Sequence, residues 1–176
     1  MNVTIRRLQN TDADMHALLS WLTDERVLAH VYDEDAPWDL DKIRENFAEN
    51  AEADSDVAGW MILAEGQPVG YMQHYPISEE SYRFTQDVPF SLLEGVYGTD
   101  MFIGVPELWR RGIGRKAVEL LSDVLTAQGV TRLCADPCTE NAHGMAFWPR
   151  AGFVPLGAVP EYDHPEKQSM LMVKTL

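Results

Sequence analysis

The chain has 176 residues, 45% apolar and 10% aromatic, enough for one domain with a full core and no structural metal or disulfide scaffold. Its 28 Asp and Glu outnumber 14 Lys and Arg, and a net charge of −14 repels phosphate backbones and anionic lipid, which excludes nucleic acid and membrane as partners. No run approaches the ~18 apolar residues of a membrane span. Two cysteines, Cys134 and Cys138, fit a reducing, cytoplasmic setting better than a disulfide framework or a zinc site.

Residues 3–8 (VTIRRL) read as a first strand. Thr11 with Asp14 is a capping-box signal, opening an amphipathic helix to about residue 28 with Met15, Leu18, Leu19 and Leu22 on one face. A second helix is expected from Leu40 to about Ala51, with Ile43 and Phe47 inward. Residues 57–65, a GQP turn at 66–68 and residues 69–77 predict a hairpin, and residues 78–94 a long irregular loop of the kind that is functional or mobile. Residues 95–105 form a strand, 113–128 a helix ended by Gly129, 131–136 a buried strand, and 140–148 a short helix stopped by Pro149. FVPLGAV and SMLMVKT close the sheet. The class is mixed α/β, one domain over residues 1–176.

The charge is unevenly placed. Residues 1–100 hold 20 acids and 6 bases, whereas residues 101–176 hold 8 of each. An acidic half attracts a polycation, although acidity also simply keeps a protein dissolved. In the other half Arg110, Arg111, Arg115 and Lys116 surround Gly112 and Gly114 in WRRGIG, between a strand and a helix. Glycines there allow close backbone approach, and a helix start offers free N–H groups to phosphate. A tight structural turn would explain the same pattern, which is neither a Walker loop nor a GxGxxG fingerprint.

These residues resemble the acetyl-CoA loop of the GNAT superfamily of N-acetyltransferases, Q/R-x-x-G-x-G/A, with Trp109 where Gln or Arg is usual. The segment 136–153 (DPCTENAHGMAFWPRAGF) matches as well, and the resemblance covers essentially the whole chain. Within the superfamily the chain is most similar to the aminoglycoside 6'-N-acetyltransferases, through TIRRL, LLSWL, EGQPVGYMQHY, GTDMFIG and LWRRGIGRK. The resemblance implies a single-domain GNAT-like fold, with a mostly antiparallel twisted sheet, flanking helices and strands splayed at the acetyl-CoA site. It implies acetyl-CoA as cofactor, held by Phe102, Ile103, Gly104, Arg111, Gly112, Ile113, Gly114, Arg115, Lys116, Asn141 and Trp148. Trp148 stands where many members have a Tyr that protonates the leaving thiolate.

Acyl transfer from a thioester to an amine needs a neutral amine and a polarised carbonyl. Asp100 and Asp136 lie near corresponding ends of two neighbouring strands, where a carboxylate can hold an ammonium and accept its proton. Asp100 is the expected base, and a strand-end Asp capping a turn is the plainer alternative for each. Backbone N–H groups of Phe102, Ile103 and Gly104 are the expected carbonyl donors. Aromatics gather in the acidic half (Trp21, Tyr32, Trp38, Trp60, Tyr71, Tyr75, Tyr82), mostly as core. Trp60, Gln73, Tyr75, Glu79 and Glu80 are expected on the acceptor side. The five histidines lack metal-ligand spacing, and no metal is expected. The leading reading is direct transfer to an aminoglycoside 6'-amine in a ternary complex. A siderophore-type acyltransferase acting on a lysine-type or hydroxylamine nitrogen is the alternative, and a CoA-binding sensor with a decayed site a third. Monomer and homodimer both stay open.

Overall fold

The computed structural model describes residues 1–31, 37–161 and 164–176, so Tyr32 lies outside the described residues. Among them are seven strands: β1 (Val3–Arg7), β2 (Ala58–Ala64), β3 (Gln67–Pro76), β4 (Tyr97–Ile103), β5 (Arg132–Ala135), β6 (Val154–Pro160) and β7 (Gln168–Thr175). The helices are α1 (Asp12–Leu22), α2 (Glu25–Leu28), α3 (Leu40–Phe47), α4 (Ile113–Ala127) and α5 (Ala142–Arg150). The sheet order is β1-β2-β3-β4-β5-β7-β6, with β4 and β5 parallel and the β1–β2, β2–β3, β5–β7 and β6–β7 pairs antiparallel. This is the mixed, mostly antiparallel α/β arrangement the sequence predicts. No helix among the described residues is long and apolar enough to cross a membrane.

Contacts group the chain into two compact units, Met1–His74 with Met101–Leu121, and Tyr75–Asp100 with Ser122–Leu176. The change in charge at residue 100 therefore does not mark a simple structural half. In the first unit, α1 lays Met15, Leu18 and Leu22 on Leu8 of the chain leaving β1, Met61 of β2 and Ile43 of α3, all nearly without exposure. Arg6 of β1 grips the buried Asp14 by two bonds of 2.7 and 2.6 Å. Thr11 caps α1 through the Asp14 N–H, but the Asp14 carboxylate reaches back to the Gln9 N–H, two residues before the Thr11 N–H that a capping box requires.

The helix expected to run to residue 28 breaks at Thr23. The Thr23 hydroxyl donates to the Leu19 carbonyl, and Asp24 starts α2 by accepting from the Arg26 N–H at 2.9 Å. The next expected helix is also shorter, ending at Phe47 before a 3-10 turn at Glu49–Ala51.

The second unit has its own core of Ile77, Val96, Cys134, Val159 and Leu171. Residues 78–94 are irregular as expected, apart from a 3-10 turn at Phe90–Leu92, but they are anchored. Tyr82, Val88 and Leu93 are buried, and the Arg132 guanidinium donates to the Leu92 and Glu94 carbonyls. Pro149 does not stop α5, which continues to Arg150. The missing N–H falls in the last turn, which Ala151 closes by donating to the Phe147 carbonyl.

Candidate functional site

The register of the parallel pair sets the two aspartates opposite each other. Gly98 of β4 aligns with Cys134 of β5, the last paired position. Two residues further along each chain stand Asp100 and Asp136, on the face shared by Gly98 and Cys134. Pairing stops there, so the carboxylates occupy the opening. Tyr75 packs on Gly98, where any Cβ would enter its ring, and hydrogen-bonds to Asp100. Tyr82 donates to Asp136 from the anchored loop. Glu161, which accepts from the Ser169 hydroxyl at 3.1 Å, adds a third acidic group felt by Asp136.

The electrostatics follow from this crowding. Burial, and then the charge of Asp100, push the Asp136 carboxyl well above the usual carboxylate range, with the Tyr82 bond opposing them. Burial and these carboxylates raise both phenols, so Tyr75 and Tyr82 remain donors at neutral pH. Burial and Asp136 raise the Cys134 thiol as well, which keeps it protonated and unsuited to attack a thioester. What this cluster can bind is a cation. A charged amine would relieve the repulsion between the two aspartates, and a carboxylate beside it could then take its proton.

The first unit carries the glycine loop. Arg110 (φ +59°) and Gly112 (φ +80°) take left-handed backbone, and a Cβ on Gly112 would meet nothing within 4 Å. Arg110, Arg111, Gly112, Arg115 and Lys116 are exposed, with Arg115 and Lys116 both near Glu119, while Ile113 is buried as the apolar anchor of α4 and Gly114 is half-buried. The first N–H groups of α4 lack partners within the helix by geometry alone. An open loop, cations and a helix start together fit the pyrophosphate of acetyl-CoA.

The three expected carbonyl donors separate. Gly104 donates to the Val69 carbonyl of β3 at 2.8 Å, so that N–H is engaged, and a side chain there would strike Trp21. Alternation along β4 turns Phe102 toward β3 as well and Ile103 toward the opposite edge. The Ile103 N–H is therefore the one of the three that the strand directs away from β3.

Other expected residues have these places in the fold. Trp60 is buried, donates to His74 Nδ1 at 3.0 Å and lies under the Arg7 guanidinium, so it belongs to the core. Gln73 accepts from Tyr71 and Asn50, and Glu79 and Glu80 are exposed in the loop. Asn141 caps α5 by accepting from the Gly144 N–H at 2.9 Å. Trp148 is buried edge-on between Phe147 and Phe153. In the sequence Tyr82 stands only as one of the aromatics of the acidic half, and nothing singles out Glu161. Neither follows a period or motif, since each reaches Asp136 from an irregular connection.

Comparison with known proteins fixes the class. Residues 10–160 match the acetyltransferase (GNAT) domain family, and the chain belongs to that family. Aminoglycoside N(6')-acetyltransferase type 1 of Klebsiella pneumoniae is 27% identical over 99% of this chain and 83% of its own length, as is the Serratia marcescens protein of that name. Among solved structures, AAC(6')-Ib with ribostamycin and coenzyme A superposes with a TM-score of 0.81 at 24% identity, covering 99% of this chain and 94% of that one. The complex of the same enzyme with coenzyme A and kanamycin gives 0.79 at 24%, over 99% and 95%.

Proposed function

We propose that this chain is an acetyl-CoA-dependent aminoglycoside 6'-N-acetyltransferase that works by direct transfer in a ternary complex. The observation that carries the reading is the Asp100–Asp136 pair, with its two tyrosine donors, at the end of the β4–β5 pairing. Family membership supports the acyl transfer, and the named relatives support the acceptor. When bound, acetyl-CoA supplies the activated acetyl thioester that the amine attacks.

The chain's own residues do the rest. The start of α4 and the cations of the glycine loop hold the pyrophosphate. The Ile103 N–H polarises the thioester carbonyl. Asp136 holds an ammonium of the acceptor, and Asp100 accepts the proton of the attacking amine, directly or through one water. The protonated state of Cys134 argues against a covalent acyl-enzyme at that residue. Trp148 is not needed as an acid, because a thiolate is a good leaving group and water can protonate it. Trp109 donates to the Ile103 carbonyl and Trp148 packs on Phe153, so both departures have partners in the fold, which weakens the case for a decayed sensor.

The test is thiol release from acetyl-CoA with kanamycin-type aminoglycosides, polyamines and lysine or hydroxylamine derivatives. Turnover is expected with aminoglycosides, with product mass increased by one acetyl group on the 6'-amine. Acylation of a lysine-type or hydroxylamine nitrogen alone would favour the siderophore reading, and CoA binding without turnover the sensor reading.

A further inference from the structure

The least expected residue of the glycine loop is Trp109, which occupies the position where the resemblance calls for Gln or Arg. Its side chain does not point outward as a phosphate ligand would. The indole Nε1–H donates to the Ile103 carbonyl at 2.7 Å, and the ring meets His30 edge-on with centroids 5.4 Å apart. The Ile103–Gly104 peptide is thereby held from both sides. Its N–H goes to the Val69 carbonyl of β3 at 2.8 Å, and its C=O receives Trp109. On the β5 side the described pairing is Tyr97 with Leu133 and Gly98 with Cys134, so on that edge the last residues of β4 lie beyond the described ladder, while their other edge faces β3.

We propose that Trp109 is a positioning residue: it clamps the Ile103–Gly104 peptide to the glycine loop and so fixes the direction of the Ile103 N–H, leaving phosphate recognition to the loop backbone and its arginines. The proposal rests on the acetyl-transfer reading for its kinetic consequence but not for the clamp itself. One side chain here joins the two parts that an acetyl-CoA site must hold in register, the pyrophosphate loop and the carbonyl donor. A Gln or Arg aimed at phosphate adds to cofactor affinity. An indole aimed at a strand-end carbonyl adds to alignment during the reaction, and alignment appears in turnover rather than in binding.

The experiment compares the parental chain with Trp109→Phe, which keeps an aromatic ring and removes the donor, and Trp109→Gln, which keeps a donor. Three quantities are read: amide exchange of Gly104 by NMR, the Kd for CoA by calorimetry, and kcat against KM with an aminoglycoside. For Trp109→Phe the Gly104 amide is expected to exchange ~3- to 10-fold faster, the range one net neutral hydrogen bond controls. The kcat falls by a similar factor while the Kd for CoA stays within about twofold. Trp109→Gln restores part of both the exchange protection and kcat. Unchanged Gly104 exchange in Trp109→Phe overturns the clamp, whatever the activity. A Kd for CoA that weakens tenfold at constant kcat overturns the positioning role and makes Trp109 a cofactor ligand. A parental chain without acetyl transfer defeats the functional reading instead, and the Gly104 exchange still decides the clamp.

Discussion

Tyr82 donates its phenolic hydrogen to the Asp136 carboxylate, and this bond opposes the burial and the Asp100 charge that favour the protonated carboxyl. The donor comes from a loop without regular structure, held by its own buried side chains rather than by a ladder. Tyr82→Phe keeps the ring contact with Phe84, whose centroid lies 5.6 Å away, and removes only the hydroxyl. The acceptor KM is expected to rise ~3- to 10-fold, because a less ionised Asp136 holds an ammonium less well. Steady-state kinetics at saturating acetyl-CoA check this, and an unchanged acceptor KM would remove Tyr82 from the site.

The raised Asp136 carboxyl makes acceptor binding pH-dependent with a definite sign. A bound ammonium favours the carboxylate, so binding should expel the proton that Asp136 holds. Affinity then strengthens as pH rises, until the amines themselves lose charge. The same shift acts on folding. The native state binds this proton more tightly than the unfolded chain, so the ionised group weakens the fold as pH climbs above the ordinary value of 3.8. Asp136→Asn is expected to melt higher than the parent at pH 7 while binding aminoglycoside more weakly. Calorimetry in buffers of different ionisation enthalpy reads the proton release, which should vanish in Asp136→Asn.

The strands were legible because they alternate or run apolar between turn residues, and the position of Asp100 and Asp136 at neighbouring strand ends followed from them. Local chemistry with competing solutions was less legible. The 11–28 stretch has helical spacing throughout, yet Thr23 and Asp24 terminate and restart it through side-chain bonds that a period cannot reveal. Trp60, Asn141 and Trp148 carried functional expectations but found partners within the fold. Their types suit both roles, so residue type alone does not tell a cap or core contact from a ligand contact. Tyr82 and Glu161 reach Asp136 across long sequence separations from irregular segments, so nothing near them in sequence marks them.

His74 supplies a stability test away from these carboxylates. Burial, with the Arg7 charge second, lowers its pKa to about 4, and its Nδ1 accepts from Trp60. A depressed histidine contributes stability that is present above its unfolded value and lost as pH falls through its folded one, here from 6.5 to about 4. The loss amounts to at most about 3 kcal/mol over that window. His74→Gln keeps an acceptor for Trp60 and cannot titrate. Denaturant midpoints at pH 7 and 4.5 should therefore fall less in the variant than in the parent; equal falls would show that His74 does not drive the acid sensitivity.

Gly112 separates backbone strain from ligand approach. With φ at +80° and open space where a Cβ would stand, Gly112→Glu costs about 1 kcal/mol of stability and places bulk and negative charge in the loop. Gly129 has φ +85° and equally open space just beyond the other end of α4, so Gly129→Glu carries the same strain and charge. Both variants should lose similar stability, and only Gly112→Glu should weaken CoA binding, by tenfold or more in calorimetry. Equal CoA affinities in the two variants would move the pyrophosphate site elsewhere.

Asp100 and Asp136 are expected to fail differently when neutralised. Asp100 lies three residues before Ile103 in the sequence of β4. Tyr75 orients that carboxylate, whereas Asp136 lies just beyond β5, next to Glu161 and Tyr82. Positioned general bases contribute ~10²–10⁴ in rate. A carboxylate that only holds an ammonium acts mainly through KM. Asp100→Asn, which keeps shape and removes basicity, should lower kcat by roughly that range with the Kd for CoA unchanged. Asp136→Asn should mainly raise the acceptor KM. Its raised carboxyl pKa offers the opposite arrangement, since a more basic carboxylate is a better proton acceptor once the site is open to the amine. The pH–kcat profiles of the two variants decide between them. A near-parental kcat in Asp100→Asn ends its role as base, and a kcat collapse confined to Asp136→Asn assigns the base to Asp136.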